Sequence, residues 1–237
     1  MLWQVCVETD ARRPSRPSAN LGSLPAAAKL WICFSRRPLR LGSYHSSMPQ
    51  EIEIKFRIDS LPALARKLKQ AGFRQITRST REMNALYDLP GQKLRQRGEM
   101  LRLRKYGETW LLTHKAKGKT GRHKARVERE TRLENGSEMD AILRALGFEP
   151  TFRYEKYRAE WNDGTGHVVL DKTPIGNFGE IEGPPRWIDR TAHALGIAGS
   201  DYITETYAPM FFAWKRRTKS KATEMTFSAI GKKSKSA

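Results

Sequence analysis

Cysteine is nearly absent from this 237-residue chain. Its two cysteines, Cys6 and Cys33, both lie within the first 47 residues. The rest of the chain therefore offers no disulfide framework, no thiolate metal site and no cysteine nucleophile. This scarcity fits a reducing compartment and predicts a cytoplasmic protein.

Long apolar runs are missing as well. No stretch of the sequence approaches the roughly 20 apolar residues that a membrane-spanning helix needs, so we expect no membrane partner. Residues 1–47 also lack the apolar centre and small-residue cleavage site of a secretory signal. The chain has no internal repeat of fixed period.

Basic residues are in excess, but unevenly. The formal net charge is +19, from 44 Lys and Arg against 25 Asp and Glu. Residues 1–47 contain seven bases and two acids, and residues 215–237 contain eight bases and one acid. Because the middle of the chain interleaves 29 bases with 22 acids, its charge pattern argues against a nucleic-acid partner for the core.

The two ends also differ from the middle in composition. We interpret residues 1–47, rich in Arg, Ser, Pro and Ala, as a disordered leader or as a start-site artefact that precedes a true start at Met48. An Arg- and Ser-rich, acid-poor leader is also a feature of organelle transit peptides. Residues 215–237 are predicted to be a disordered basic tail that folding does not need. One domain, residues 48–214, remains between these ends.

Short segments in which charged or polar residues alternate with apolar residues dominate this domain. In Glu51–Phe56, charged residues fall on one face of a strand and apolar residues on the other. Similar segments occupy residues 83–92, 100–106, 109–115, 123–133, 152–161, 166–172 and 177–183. Helical patterns run from Ser60 to Gly72, from Ser137, the predicted N-cap, to Leu146, and from Pro185 to Leu195. The sequence thus predicts an α+β domain of about eight antiparallel strands with helices between and after them.

Charged residues recur at a spacing of two along these strands, which places them on shared faces. The bases in this pattern are Lys55, Arg102, Arg104, Lys115, Arg126, Lys156 and Arg158. The acids are Glu51, Glu53, Glu128, Glu130, Asp171, Glu180 and Glu182. If the sheet closes, these faces point inward together. A charged interior is tolerable only when it is wet, internally paired or filled by a charged ligand, since each unpaired buried ion is costly.

The two sets of charges suit two partners. Carboxylates without His or Cys ligands favour hard cations such as Mg²⁺ or Mn²⁺. Clustered arginines and lysines favour phosphate oxygens. Together they predict a metal–polyphosphate site. The alternative is an exposed face of surface ion pairs that binds no ligand.

Several of these segments resemble one known family. EIEIKF at 51–56, LRLRK at 101–105, LTHK at 112–115, RVERE at 126–130, EKYR at 155–158, VLDK at 169–172 and GEIEG at 179–183 resemble the CYTH domain of the triphosphate tunnel metalloenzymes. The resemblance covers about residues 49–210. It implies an eight-stranded antiparallel closed β-barrel around a polar tunnel, with flanking helices.

The same resemblance implies roles for the charged residues. The acids, Glu51, Glu53, Glu128, Glu130, Asp171, Glu180 and Glu182, would bind Mg²⁺ or Mn²⁺. The bases, Lys55, Arg102, Arg104, Lys115, Arg126, Lys156 and Arg158, would bind the triphosphate. Among the bases, Lys55 and Arg104 are the catalytic candidates.

The spacing of the segments is most similar to the class IV adenylate cyclases, which form cyclic AMP and pyrophosphate from ATP. Hydrolysis of tripolyphosphate or thiamine triphosphate is the alternative, and a non-catalytic binder of polyphosphate or nucleic acid is the second alternative. Lys115-Ala-Lys-Gly departs from the Lys-Gly-Pro that the family often has, so the subfamily stays open. The oligomeric state also stays open, with a homodimer as one option.

Overall fold

The strands form a closed ring. The computed structural model describes residues 50–231. In chain order its strands are β1 (Gln50–Arg57), β2 (Arg74–Asp88), β3 (Met100–Tyr106), β4 (Thr109–Lys115), β5 (Lys119–Thr120), β6 (Lys124–Leu133), β7 (Glu149–Asn162), β8 (His167–Thr173) and β9 (Gly176–Glu182). Spatially they follow the order β1-β9-β8-β7-β2-β3-β4-β6, and β1 also pairs with β6. All strand pairs of the ring are antiparallel, and the two-residue strand β5 pairs with the start of β6.

This architecture confirms the eight-stranded closed barrel with flanking helices. Closure depends on β1, which contacts β9 through the pair Glu53 and Glu182 and contacts β6 through the pair Glu51 and Arg126. A closed ring has one inner and one outer face, so the alternation along each strand decides which residues meet inside.

Helices pack against the strands of the barrel. They are α1 (Leu61–Gln70), α2 (Lys93–Gln96), α3 (Gly136–Ala145), α4 (Pro185–Leu195), α5 (Tyr207–Thr218) and α6 (Phe227–Gly231). The main core packs apolar strand residues such as Ile54 and Ile181 against Leu68 of α1 and Ile188 of α4. These side chains are almost fully buried, which is the chief contribution of the helices to stability.

The helix boundaries show where local chemistry sets the ends. Ser60 caps α1 as expected, because its Oγ accepts a hydrogen bond from the Ala63 N–H at 3.4 Å. The predicted N-cap of α3 was wrong by two residues. Asn135 takes that position, and its Oδ1 accepts from the N–H groups of Ser137 and Glu138. Asparagine is as good an N-cap as serine, so the sequence offers two N-cap candidates, Asn135 and Ser137, within three residues.

The strand β2 is longer than the sequence pattern predicts. It begins at Arg74 rather than near Met83 and pairs with β7 along its length, with register shifts around Thr77. The first half of β2 has mostly exposed side chains, so it carries no apolar alternation that could reveal it.

The C-terminal segment differs from the prediction of disorder. Residues 215–218 complete α5, and Met225 is fully buried. The Met225 N–H donates to the Arg153 carbonyl, and its own carbonyl accepts from the Glu155 N–H, both at 3.0 Å. The buried methionine and the two backbone hydrogen bonds help to dock a segment whose composition is otherwise basic and polar. The predicted leader, residues 1–47, and residues 232–237 of the predicted tail lie outside the described residues.

The described helices include none that is long and apolar enough to cross a bilayer.

Candidate active site in a charged tunnel

The inner face of the barrel encloses a cavity of about 380 Å³. Charged side chains from β1, β3, β4, β6, β7 and β9 line it. Of the predicted site residues, the following line the cavity: Glu51, Glu53, Lys55, Arg102, Arg104, Lys115, Arg126, Glu128, Glu130, Lys156, Arg158, Glu180 and Glu182. The alternation of period two therefore brings these charges together from six different strands.

Strand register places opposite charges beside one another on the tunnel wall. Lys55 lies directly across from Glu180, and their Nζ and Oε1 atoms are 2.6 Å apart. Lys115 lies across from Glu128 at 2.7 Å and also contacts Glu51 at 2.6 Å. Such pairs offset part of the cost of removing the charges from water, and removal of one partner would leave a buried, uncompensated ion.

The charges on the wall nearly balance. Eight lysines and arginines line the cavity against seven glutamates. A triphosphate carries several negative charges, so its entry alone would leave the tunnel strongly negative. Cations that enter with the triphosphate would restore the balance.

Some of the bases are only loosely held. The guanidinium of Arg102 contacts Tyr154 and Thr113 at 3.4 and 3.3 Å, and that of Arg104 contacts Glu82 at 3.6 Å. The Nε atoms of both arginines are buried without a hydrogen-bond partner. Burial lowers the pKa of Arg102, but Tyr154 and the nearby glutamates outweigh it and raise that pKa above its usual value. These guanidinium groups are charged, positioned and free to donate to an added anion.

Acids accumulate at another part of the wall. Glu53 and Glu182 lie directly opposite each other on β1 and β9, an unfavourable arrangement for two like charges. Although part of the Glu182 side chain reaches solvent, its confinement in the tunnel raises its pKa to about 7, with the charges of Glu51 and Glu53 adding to the effect. Burial also acts to raise the pKa of Glu53, but Lys55 and Lys124 lower it below its usual value.

The donor set fits a hard divalent cation. Glu51, Glu53 and Glu182 supply only carboxylate oxygens, which are the ligands that Mg²⁺ and Mn²⁺ prefer. A cation bound there would relieve the repulsion from Glu51 and Glu53 that adds to the raised pKa of Glu182. Within residues 50–231, however, no three His, Cys, Asp or Glu side chains already converge as a preformed metal cage. Lys115 and Lys124 instead hold Glu51 and Glu53 in ion pairs.

We expect Glu182→Gln to stabilise the metal-free protein at alkaline pH. A carboxyl group whose pKa is higher in the folded chain than in the unfolded chain destabilises the folded state at a pH above both pKa values. The reason is that ionising the group costs more free energy in the folded chain. For Glu182 this destabilisation is absent below pH 4.5, the ordinary pKa of a glutamate. It grows as pH rises from 4.5 to the folded-state pKa of about 7. Melting temperatures with a chelator at pH 5 and pH 8 should therefore differ between variant and wild type only at pH 8. The fully exposed Glu108 supplies a control, Glu108→Gln, and equal shifts in both variants would contradict the assignment.

Asp171 is the one predicted site residue that does not line the cavity. It is fully buried, and its carboxylate accepts from Lys156 at 2.9 Å, from Arg158 at 2.7 and 2.8 Å, and from the Tyr207 hydroxyl at 2.7 Å. With its oxygens occupied in this way, the predicted metal-ligand role does not fit. The geometry suits Asp171 to holding two bases in place.

Sequence reasoning missed several residues of this interior, including Glu160 of β7, which lines the cavity. Lys124 continues the spacing of two from Arg126 and could have been found by extending that pattern. Glu82 and Asn84 belong to the strand whose alternation is hidden, and both are buried. Tyr207 comes from α5, and its ring lies beneath the ammonium groups of Lys55 and Lys156 at 4.8 and 5.1 Å. No strand pattern could have indicated a helical residue at this place.

Comparisons with known proteins find relatives of similar sequence and similar fold. A protein of Methanocaldococcus jannaschii named "Putative adenylate cyclase" is 27% identical over 133 residues, which are 56% of this chain and 75% of that protein. A Vibrio parahaemolyticus structure, also described as a "putative adenylate cyclase", superposes with a TM-score of 0.61 at 22% identity and covers 68% of this chain and 97% of its own.

A third known protein has a similar fold. A Hippeastrum protein, described as a "putative adenylyl cyclase" that "reveals a dominant" triphosphatase activity, matches with a TM-score of 0.52 at 20% identity. The match covers 69% of this chain and 95% of that one. At these identities the structural likeness shows the fold alone. The CYTH domain family model matches residues 49–191, more than half of the chain. The chain therefore belongs to the CYTH family.

Proposed function

We propose that this protein is a divalent-metal-dependent enzyme that acts on a triphosphate substrate inside the tunnel. The observation that carries the proposal is the composition of the cavity lining, where loosely held guanidinium groups and a cluster of neighbouring carboxylates face the same space. A phosphate chain with its cations would satisfy both groups at once. A surface of ordinary ion pairs would leave neither unsatisfied.

The bases would bind and orient the phosphate chain. Arg102 and Arg104 donate from one side of the barrel, and Lys156 and Arg158 donate from β7, where Asp171 holds them. Lys55 is buried against Glu180 and Tyr207, and its pKa is raised because its acidic neighbours outweigh burial. It therefore stays protonated and can stabilise the negative charge that develops during phosphoryl transfer.

Three glutamates, Glu51, Glu53 and Glu182, would hold the divalent cation, and Glu128 and Glu130 lie on the same wall to assist. When bound, Mg²⁺ or Mn²⁺ supplies positive charge to phosphate oxygens. The chain itself contributes positioning, since its charged groups sit on barrel strands rather than on loops.

Two reactions are compatible with this wall. In the first, which the names of two relatives favour, the 3′-hydroxyl of ATP attacks the α-phosphorus, and cyclic AMP and pyrophosphate form. In the second, which the Hippeastrum protein favours, water attacks the terminal phosphorus of a triphosphate. The two reactions differ in how the substrate is placed along the tunnel, while the same bases stabilise the phosphate charge in both.

The proposal predicts that turnover requires a divalent cation. The purified chain is incubated with ATP or with tripolyphosphate, in Mg²⁺, in Mn²⁺ or in excess chelator, and cyclic AMP, pyrophosphate and phosphate are separated. We expect product with either metal and at least about a hundredfold less with chelator, because the carboxylates then repel the substrate. Cyclic AMP identifies a cyclase, and phosphate alone identifies a hydrolase. Full activity in chelator, or no turnover of either substrate, would refute the proposal.

A further inference from the structure

One buried acid of the tunnel has no role in the reaction described above. Glu82 of β2 is completely buried and does not line the cavity. Its carboxylate lies 3.4 Å from the Lys156 ammonium, 3.6 Å from Arg104 and 3.9 Å from Arg158. These distances are longer than those of direct charge-assisted hydrogen bonds, and one of its oxygens, Oε2, has no hydrogen-bond partner. Such an acid is expensive to bury, so its position calls for a reason.

The register of β2 explains which residues Glu82 can affect. The strand lies between β3 and β7, with Glu82 opposite Lys156 and Asn84 opposite Arg104. The Asn84 amide donates to Glu82 Oε1 at 2.9 Å and fixes that oxygen. The carboxylate is therefore placed where it can attract bases from both neighbouring strands at once.

Arg104 depends on Glu82 more than the other two bases do. Asp171 holds Lys156 and Arg158 by direct hydrogen bonds. For Arg104, Glu82 supplies the only carboxylate oxygen within 4 Å among residues 50–231, and the Arg104 Nε has no hydrogen-bond partner. Loss of Glu82 would leave this guanidinium without an anchor.

We propose that Glu82 is a positioning residue that holds Arg104, and through it the phosphate chain, in the reactive arrangement. The inference rests on the proposed function, because it needs a triphosphate in the tunnel. Glu82 attracts the guanidinium from behind without occupying all its donors, so Arg104 remains able to donate to phosphate. Burial opposes ionisation of Glu82, but Lys156, Arg104 and Arg158 outweigh it and lower its pKa below the usual value, so the anchor stays charged.

A variant separates positioning from a general electrostatic effect. Glu82→Gln keeps the shape but removes one negative charge from beneath the bases. The tunnel becomes more positive, so tripolyphosphate should bind the variant at least as tightly as the wild type. Because Arg104 is no longer held in place, kcat should fall about tenfold or more. If Glu82 only stabilised the fold, Glu82→Gln would instead lower the melting temperature and the fraction of active protein. The kcat per active molecule and KM would then both stay at the wild-type values.

A double-mutant cycle tests whether Glu82 acts through Arg104. In the Arg104→Ala background, Glu82→Gln should change kcat less than about twofold, because the group that it positions is already missing. Glu155→Gln is the matched control, since Glu155 pairs with Arg81 on the outer face of β7 at 3.0 Å and should leave both constants unchanged. Additive effects in the double variant, or a fall in binding with kcat intact, would overturn the inference.

Folding and the proposed function are monitored separately. If Glu82→Gln does not fold, Asn84→Ala removes the amide that fixes Glu82 Oε1 and should lower kcat in the same non-additive way, to a smaller extent. Calorimetric titration of the full wild-type chain with tripolyphosphate and Mg²⁺ is the reference. Absence of both binding and turnover in the wild type refutes the proposed function and the inference with it. An active wild type with an additive cycle refutes the inference alone.

Discussion

Replacing Arg104 with alanine is expected to lower kcat/KM for the triphosphate substrate by about tenfold to a hundredfold. The range corresponds to the loss of one hydrogen bond to a charged group, about 1.5–3 kcal/mol. Arg104 lines the cavity, and its nearest carboxylate, Glu82, contacts only its Nε, at the long distance of 3.6 Å, so the other guanidinium donors are left for phosphate oxygens. A group that holds phosphate in the bound substrate and in the transition state should affect KM and kcat together.

The same experiment tests the register of β3. Lys105 is adjacent in the chain but points to the outer face, where its ammonium lies 3.8 Å from Glu108 and 5.8 Å from the Trp110 ring centroid. Lys105→Ala is therefore the matched control, and its kcat/KM should stay within about twofold of the wild-type value, as for other surface changes. A one-residue shift in register would exchange these two side chains between the faces. Wild-type kinetics for Arg104→Ala on both ATP and tripolyphosphate would contradict the placement of Arg104 in the tunnel.

The inner face of the barrel could be predicted because strand alternation is a strict pattern. Once β1 is a strand, Glu51, Glu53 and Lys55 must share a face, and their inward direction follows from the apolar residues between them. The same reasoning places Arg102 with Arg104 and Lys156 with Arg158. It required no knowledge of which strands are neighbours.

Depth within the wall could not be predicted in this way. Asp171 alternates like a lining residue, yet it lies behind the lining because Lys156, Arg158 and Tyr207 converge on it. Tyr207 arrives from a helix distant in sequence. Glu82 was missed for a related reason, since the exposed first half of its strand lacks the alternation that would have revealed it. Contacts between distant segments decide these positions, and local patterns do not report them.

Composition misled the prediction for the end of the chain. The high density of lysine and arginine after Trp214 is typical of disordered tails. Composition averages over a segment, whereas docking here depends on Met225, with Thr226 also buried and Phe227 in ring contact with Tyr157 at 5.3 Å. A few well-placed residues can offset the ordering cost of a short segment when they enter an existing core.

Removal of residues 215–237 is consequently expected to destabilise the barrel, contrary to the interpretation of this segment as dispensable. The truncation deletes the last turn of α5 and takes Met225 out of the core cluster that contains Phe152, Tyr154 and Phe211. Loss of a buried methionine alone costs about 2–5 kcal/mol. For a domain of this size the melting temperature should fall by at least about 5 °C. Thermal melts of the full and truncated chains measure the change.

Truncation should also expose an edge of β7 and so promote self-association. Without Met225, the Arg153 carbonyl and the Glu155 N–H lose their backbone partners, and the edge of β7 becomes open to pairing with another chain. The truncated chain should therefore self-associate in light scattering as concentration rises. A chain that ends after Gly231 keeps every docked residue of the described range, 50–231, and is the control. Met225→Ala in the full chain isolates the side chain from the backbone pairing. If the chain ending at Trp214 melted and scattered like the full chain, the docked segment would contribute nothing to stability. If only Met225→Ala were neutral, the backbone hydrogen bonds rather than the apolar contact would hold the segment to β7.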